Sequence, residues 1–224
     1  KGAAMVTNLP HCRDPVATGI VAPMKIVDAV TATLFHEGEL LMTRRQPALP
    51  AFGGFHAFPG GKVDAADRDA PCPIALRQLA GDAVEAAVLC ALARELDEEL
   101  GIDLAAMAEA GEIRAVHAIG TALTPAHQPL RFNTYFMRVD LTRRPALNVD
   151  ARETAEAFWA TPADLMARYR AGAMLMAPPT RITLQVLAAD PDALHIPNLD
   201  AASRGHGIPI LEPMVGVRQL PVRS

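Results

Sequence analysis

The chain has 224 residues, half of them hydrophobic, enough for one large core with an appendage. Its formal net charge of −4 argues against a general nucleic-acid binder, which needs clustered Lys and Arg, but leaves room for a phosphate-bearing small molecule held by a local basic patch. Cys12, Cys72 and Cys90 fit neither a disulfide framework nor a zinc spacing, no apolar run is long enough to span a membrane, and the first residues lack the order of a signal peptide, so a soluble protein of a reducing cytoplasm is expected.

Residues 1–24 read as a Pro- and Gly-bearing leader. "KIVDAVTATLF" and "ELLMTRR" read as two strands of a hairpin turning at "HEGE", with Gly38 in the turn. A short strand in "GFHAFPGGKVD" then runs into Pro59-Gly60-Gly61, a loop whose glycines allow close backbone approaches. Residues 65–81 are rich in Asp, Ala and Pro without a strand period and read as an inserted surface segment. From 82 to 100, Leu89, Leu92, Ala93, Leu96 and Leu100 recur at three- and four-residue steps, which predicts an amphipathic helix with Asp82 as N-cap and Gly101 as C-cap. "EIRAVHAIGTAL", "LRFNTYFMRVDL" and "EAFWA" read as strands. "TPADLMARYRAG" and "PPTRITLQVLAAD" read as helices, the first with a Thr-Pro start suited to a helix N-terminus. Residues 191–224 read as a peripheral arm or linker.

The helix over 82–100 carries an unusual charge pattern. Glu95, Glu98 and Glu99 stand at i, i+3 and i+4 and share one face, while Asp97 points almost the opposite way. Like charges on one face, at the end where the helix dipole is already negative, oppose one another and the dipole. Something positive should compensate them, and a hard divalent cation such as Mg²⁺ takes carboxylate oxygens readily. The competing reading is a solvated charged face braced by Arg94.

"FPGGKVD" followed by "ARELDEELGI" resembles the box of the Nudix hydrolases, whose consensus runs Gly, five residues, Glu, seven residues, then Arg-Glu-apolar-x-Glu-Glu-x-Gly-apolar. The second half is matched by Arg94, Glu95, Leu96, Glu98, Glu99, Gly101 and Ile102. The spacer from Gly61 to Arg94 is much longer than the consensus; counted back from Arg94, the early acid falls on Ala86, with Glu85 one step off. Such an insertion, together with "LLMTRRQPALPAFGGFHAFPGGKVDAAD" and "RFNTYFM", is similar to the branch of peroxisomal coenzyme A diphosphatases and their bacterial relatives, although the fuller coenzyme A motif has Arg where this chain has Pro50.

The resemblance implies an α/β (α+β) Nudix fold over 25–190, a mixed sheet sandwiched between helices, with an insertion at about 65–81 inside the box. It implies that Glu95, Glu98 and Glu99 ligate Mg²⁺ or Mn²⁺, that Arg94 orients a box glutamate, and that Gly60 and Gly61 pack near the metal. The chemistry would be attack of a metal-activated water on the diphosphate linkage of a nucleoside diphosphate derivative. A coenzyme A-type substrate is favoured over ADP-ribose or a dinucleotide, and a non-catalytic nucleotide-binding regulatory module is the alternative class. Glu95 and Glu156 are the candidate general bases, with Glu153 behind them. Arg44 and Arg45 point in opposite directions from one strand, and Arg45 is taken as the phosphate contact. His56 is expected to be packed or at the surface. "RQLPVRS" resembles a linker that precedes a metallo-β-lactamase-type domain in some bacterial chains. The expected partner is a small molecule, with no nucleic acid and no membrane; oligomeric state is left open, a homodimer included.

Overall fold

A computed structural model describes residues 25–199 apart from 82, 83, 127, 129 and 198. The leader, the Asp82 cap and the "RQLPVRS" segment lie outside the described residues. Among the described residues six strands form one mixed sheet: β1 (Ile26–His36), β2 (Glu39–Arg45), β3 (His56–Ala57), β4 (Ile113–Leu123), β5 (Arg131–Leu141) and β6 (Thr154–Ala160). The order is β3-β2-β1-β5-β4, with β6 also paired to β2; β1 and β5 run parallel and the other pairs antiparallel. His36 pairs with Glu39 across a two-residue turn in which Glu37 and Gly38 both have positive φ, at 50° and 80°. That is the primed turn whose twist suits a hairpin, and Gly38 takes its second strained position.

Both faces of the sheet are covered, so β2 reads as a continuous apolar run rather than an alternation. On one side Val30, Leu34, Leu41, Met137 and Val139 pack against the box helix α3 (Ala86–Leu100) through Leu89, Leu92, Leu96 and Leu100. On the other, Phe35, Leu40, Met42 and Phe136 pack against α5 (Pro162–Arg170) and α6 (Pro178–Ala189) through Leu165, Ile182, Leu184 and Leu187. The expected sandwich of a mixed sheet between helices is the architecture found.

The inserted segment differs from its expected form. It folds into α1 (Ala65–Asp69) and α2 (Ile74–Ala80), and it seals one edge of the core, with Leu76 fully buried and Asp67 only 4% exposed. Its spacing hides this because each helix is too short to show a period. A further short helix, α4 (Leu104–Glu109), follows the box and is capped by Asp103, whose side chain accepts from the Ala106 N–H. Packing also continues past 190: Ile196 and Leu199 are fully buried, and the Ile196 N–H donates to Ile119 O at 2.8 Å.

Candidate active site

The site is built where the Pro-Gly-Gly loop meets the end of α3. The loop hangs on β1: Ala32 N–H donates to Pro59 O at 3.0 Å, Val30 N–H to Gly61 O at 2.8 Å, and the Thr31 hydroxyl to Pro59 O at 3.0 Å. Gly60 has a φ of +139°, and a Cβ there would strike the Val30 carbonyl. A Cβ on Gly61 would enter the Glu95 carboxylate. The two glycines therefore do separate jobs, one letting the loop lie against β1 and the other admitting Glu95 to the backbone.

The helix end is held from the other side. Its last carbonyls are met by a following segment, with Asp150 N–H donating to Glu99 O at 2.9 Å and Asn148 N–H to Leu100 O at 2.7 Å. The same segment ties to β2 through Gln46 N–H and Glu153 O at 2.8 Å. Glu153 is thereby set across from the box, and Glu95, Glu98, Glu99, Asp150, Arg152 and Glu153 line one cavity of about 360 Å³. Arg152 and Asp150 are engaged with each other at 2.6 Å.

Arg94 is the brace of the cluster. Its Nη1 donates to Glu95 Oε1 at 3.0 Å and to Glu98 Oε2 at 3.1 Å. Its Nε and Nη2 grip both oxygens of Asp67, at 3.0 and 2.9 Å, and Nη2 also reaches the Lys62 carbonyl. Burial works against the Asp67 charge, yet the Arg94 hydrogen bonds and the Asp64 N–H together hold its carboxyl below the usual range.

Asp67 is the carboxylate of this cluster that the sequence reading missed. Counted forward from Gly61 with the consensus five-residue gap, the acid falls on residue 67, so the signal was present; counting backward from Arg94 put it at Ala86. Glu85 and Ala86 are exposed at the start of α3, away from Arg94's contacts. The extra residues therefore sit after the early acid, in the segment joining α1 to α3.

Glu99 is the cluster's least compensated charge. It is 7% exposed, and its one described hydrogen bond is from Gly60 N–H to Oε2 at 3.2 Å. Burial pushes its carboxyl up to about 7, opposed by the Gly60 N–H and the Arg45 charge and reinforced by Glu95 and Glu153. Burial likewise raises Glu95, with Arg94 opposing. Arg45 thus lies within electrostatic reach of the box. Arg44, pointing away from it, places Nε 3.5 Å from Glu156 Oε2. Glu156 is not brought to the box glutamates: it lines a separate cavity with Arg44 and His56, while Glu153 occupies the acidic one.

A hard divalent cation fits this donor set. The group is all oxygen, and a buried carboxylate raised to about 7 is stabilised by an adjacent positive charge. Among the described residues no three metal-ligating side chains are already drawn together, and Arg94 spans Glu95 and Glu98.

The raised Glu99 group makes a stability prediction for the metal-free protein. Folded Glu99 holds its proton up to about pH 7, whereas the unfolded chain releases it near 4.5, so the folded state binds more protons between those values. The Glu99 contribution to unfolding free energy in EDTA should be greatest below about 4.5, fall by on the order of 3 kcal/mol as pH rises to 7, and then level. The contribution is the difference between urea-denaturation curves of wild type and Glu99→Gln across that range; parallel curves would contradict it.

The site is thus an α+β sandwich that presents a glycine loop to an acidic helix end carrying an arginine-braced carboxylate cluster. The sequence matches the NUDIX domain model over residues 25–178, more than half of the chain, and the chain belongs to the NUDIX family. No curated protein matches it. Among solved structures it is similar to a NUDIX hydrolase from Alicyclobacillus acidocaldarius, at 24% identity and TM-score 0.62, over 77% of this chain and 95% of that one. It is also similar to DR0079 from Deinococcus radiodurans, at 18% identity and TM-score 0.50, over 75% and 88% of the chains. A third is a bifunctional NMN adenylyltransferase/ADP ribose pyrophosphatase from Francisella tularensis, at 18% identity and TM-score 0.51, over 75% of this chain and 42% of that one. These likenesses define the fold. No helix among the described residues is long and apolar enough to cross a membrane.

Proposed function

We propose that this Nudix hydrolase cleaves the diphosphate linkage of a nucleoside diphosphate joined to a second moiety, with ADP-ribose or a dinucleotide preferred to coenzyme A. The observation that carries the reading is Glu99, buried behind the Gly60 N–H with its carboxyl pushed up to about 7, opening on an acidic cavity. Glu95, Glu98 and Glu99 would hold Mg²⁺ or Mn²⁺, which supplies neutralisation of phosphoryl charge and a lowered pKa for the attacking water. Arg94 and Asp67 fix the direction of the ligand-bearing face, and the Gly60-Gly61 backbone lets the loop lie against β1 with the Glu95 carboxylate beside it. Arg45, whose positive charge acts on Glu99, is assigned to a phosphate oxygen. Glu153, across the cavity from the box, takes the base role in preference to Glu156, which lies in the other cavity with Arg44.

Coenzyme A is disfavoured by Pro50, where the coenzyme A motif has an arginine. The Francisella tularensis relative, whose name includes an ADP ribose pyrophosphatase, supports the alternative. The test is a mass-spectrometric turnover panel with Mg²⁺ or Mn²⁺ over coenzyme A, acyl-coenzyme A, ADP-ribose, NADH, dinucleoside polyphosphates and nucleoside triphosphates. Metal-dependent release of AMP and ribose 5-phosphate from ADP-ribose, or of two mononucleotides from NADH, is the expected result. Cleavage of coenzyme A alone would overturn the substrate class, and silence from a folded protein would overturn the reading.

A further inference from the structure

The inserted segment meets α3 at two levels, and only one of them belongs to the acidic site. At the first, Asp67 grips Arg94. One helical turn earlier, at i−4 from Arg94 and on the same face, stands Cys90, whose Sγ lies 3.8 Å from the Ala70 carbonyl. The segment therefore runs antiparallel to α3 as it passes from Asp67 to Ala70. Two residues further on it delivers Cys72 to the same place, packed against the α3-side core, and the two thiols are hydrogen-bonding neighbours.

The pair is not symmetric. Cys90 is buried, whereas Cys72 is partly open to solvent. Burial, with the Cys72 thiol beside it, pushes the Cys90 thiol up to about 11, so Cys90 stays protonated at neutral pH and resists a soluble oxidant by itself. An accessible thiol with a second one sheltered behind it is the arrangement of an attacking and a resolving cysteine. Nothing in the hydrolytic chemistry requires either residue.

We propose that Cys72 and Cys90 form a reversible redox site, closing to a disulfide when a peroxide reaches Cys72. The Cys72 thiolate attacks one peroxide oxygen, the O–O bond breaks and hydroxide leaves, giving a sulfenic acid. Cys90 then attacks that sulfur: the S–S bond forms, the S–O bond breaks, and the oxygen departs as water with the Cys90 proton. Overall the two thiols lose two electrons and two protons, and hydrogen peroxide becomes two waters. A small dithiol reverses the step, as suits a disulfide that forms only transiently in a reducing compartment. The bond closes a loop containing α2, the exposed turn at Gly81 and the first turn of α3. It ties the inserted segment to α3 one turn from Arg94, so the segment can no longer lift away and carry Asp67 off the guanidinium. The site does not depend on which diphosphate the acidic cavity cleaves.

The test uses the full chain carrying Cys12→Ser, which leaves these two thiols. The folded protein is treated with a small excess of hydrogen peroxide, alkylated and digested with trypsin. Cleavage after Arg68, Arg77 and Arg94 places the cysteines in separate peptides, 69–77 and 78–94. The expected product is those two peptides joined, lighter by two hydrogens than their sum and parted by dithiothreitol. The oxidised protein should melt about 5–10 °C above the reduced one, and exchange of the Ala70 N–H, which donates to Ala66 O, should slow by about tenfold. Cys72→Ser in the same background should show neither change with peroxide. Both cysteines still free, Cys72 found only as sulfinic acid, or Cys72 joined to Cys72 of a second chain would each overturn the pairing. Joined peptides without a rise in Tm or slower exchange would overturn the tie to α3.

Discussion

Glu99→Gln should lower turnover at least about 100-fold, a loss of roughly 2.7 kcal/mol of transition-state stabilisation, while the protein remains folded. Glutamine keeps the volume of the side chain and still offers an oxygen to the Gly60 N–H, so the packing of the loop on α3 has no reason to change. What it removes is the charge, the property that a cation at this point would use. Since Glu99 is buried and resists ionising, the variant should be at least as stable as wild type at pH 7 in EDTA. Added Mg²⁺ or Mn²⁺ should then raise the melting temperature of wild type by mass action and that of the variant less. Turnover within tenfold of wild type, or equal metal-dependent shifts in both proteins, would remove Glu99 from the site.

The second large effect concerns stability. Arg94→Ala should destabilise by about 3–5 kcal/mol in urea, because it leaves the buried Asp67 carboxylate without its guanidinium beside two further glutamates. Asp67→Ala should cost less, since Arg94 is partly exposed and retains Glu95, Glu98 and the Lys62 carbonyl. The double variant should be more stable than the sum of the single losses predicts, by a coupling of about 1 kcal/mol or more. Glu85→Ala, at the exposed start of α3, should stay within about 0.5 kcal/mol of wild type. Equal losses for Glu85→Ala and Asp67→Ala would return the early acid's role to the start of the helix.

The strands and the long helices were legible because their apolar periods are sustained and their ends carry chemical stops. The hairpin turn at Gly38, the Thr161-Pro162 helix start and the Gly101 helix end are all found where such residues place them. The box residues Arg94, Glu95, Glu98 and Glu99 were legible from their spacing on one helix. Less legible was anything set by contact between distant segments. Glu153 and Glu156 are three residues apart and chemically identical, and which of them faces the box depends on how the 148–153 segment closes on the end of α3. Asp67 lies in a helix of five residues, too short for a period, and its partner is far along the chain. The Arg44–Glu156 contact depends on the pairing of β2 with β6, which no local pattern specifies.

The clamp of Asp67 on Arg94 also says where this chain tolerates a change of length. From Gly61 to Asp67 the count is set by the loop, the Lys62 carbonyl and the first turn of α1, all of which meet one guanidinium. Beyond Asp67 the segment no longer meets that guanidinium, but it is anchored by the buried Leu76 and by Cys90 Sγ on the Ala70 carbonyl, and slack is left at exposed Gly81, where φ is +68° and nothing lies near the place a side chain would fill. The box behaves as two rigid half-fittings joined by a splice pinned at Leu76, and a lineage could lengthen or trim that splice beside the pin while the jaws kept their bite.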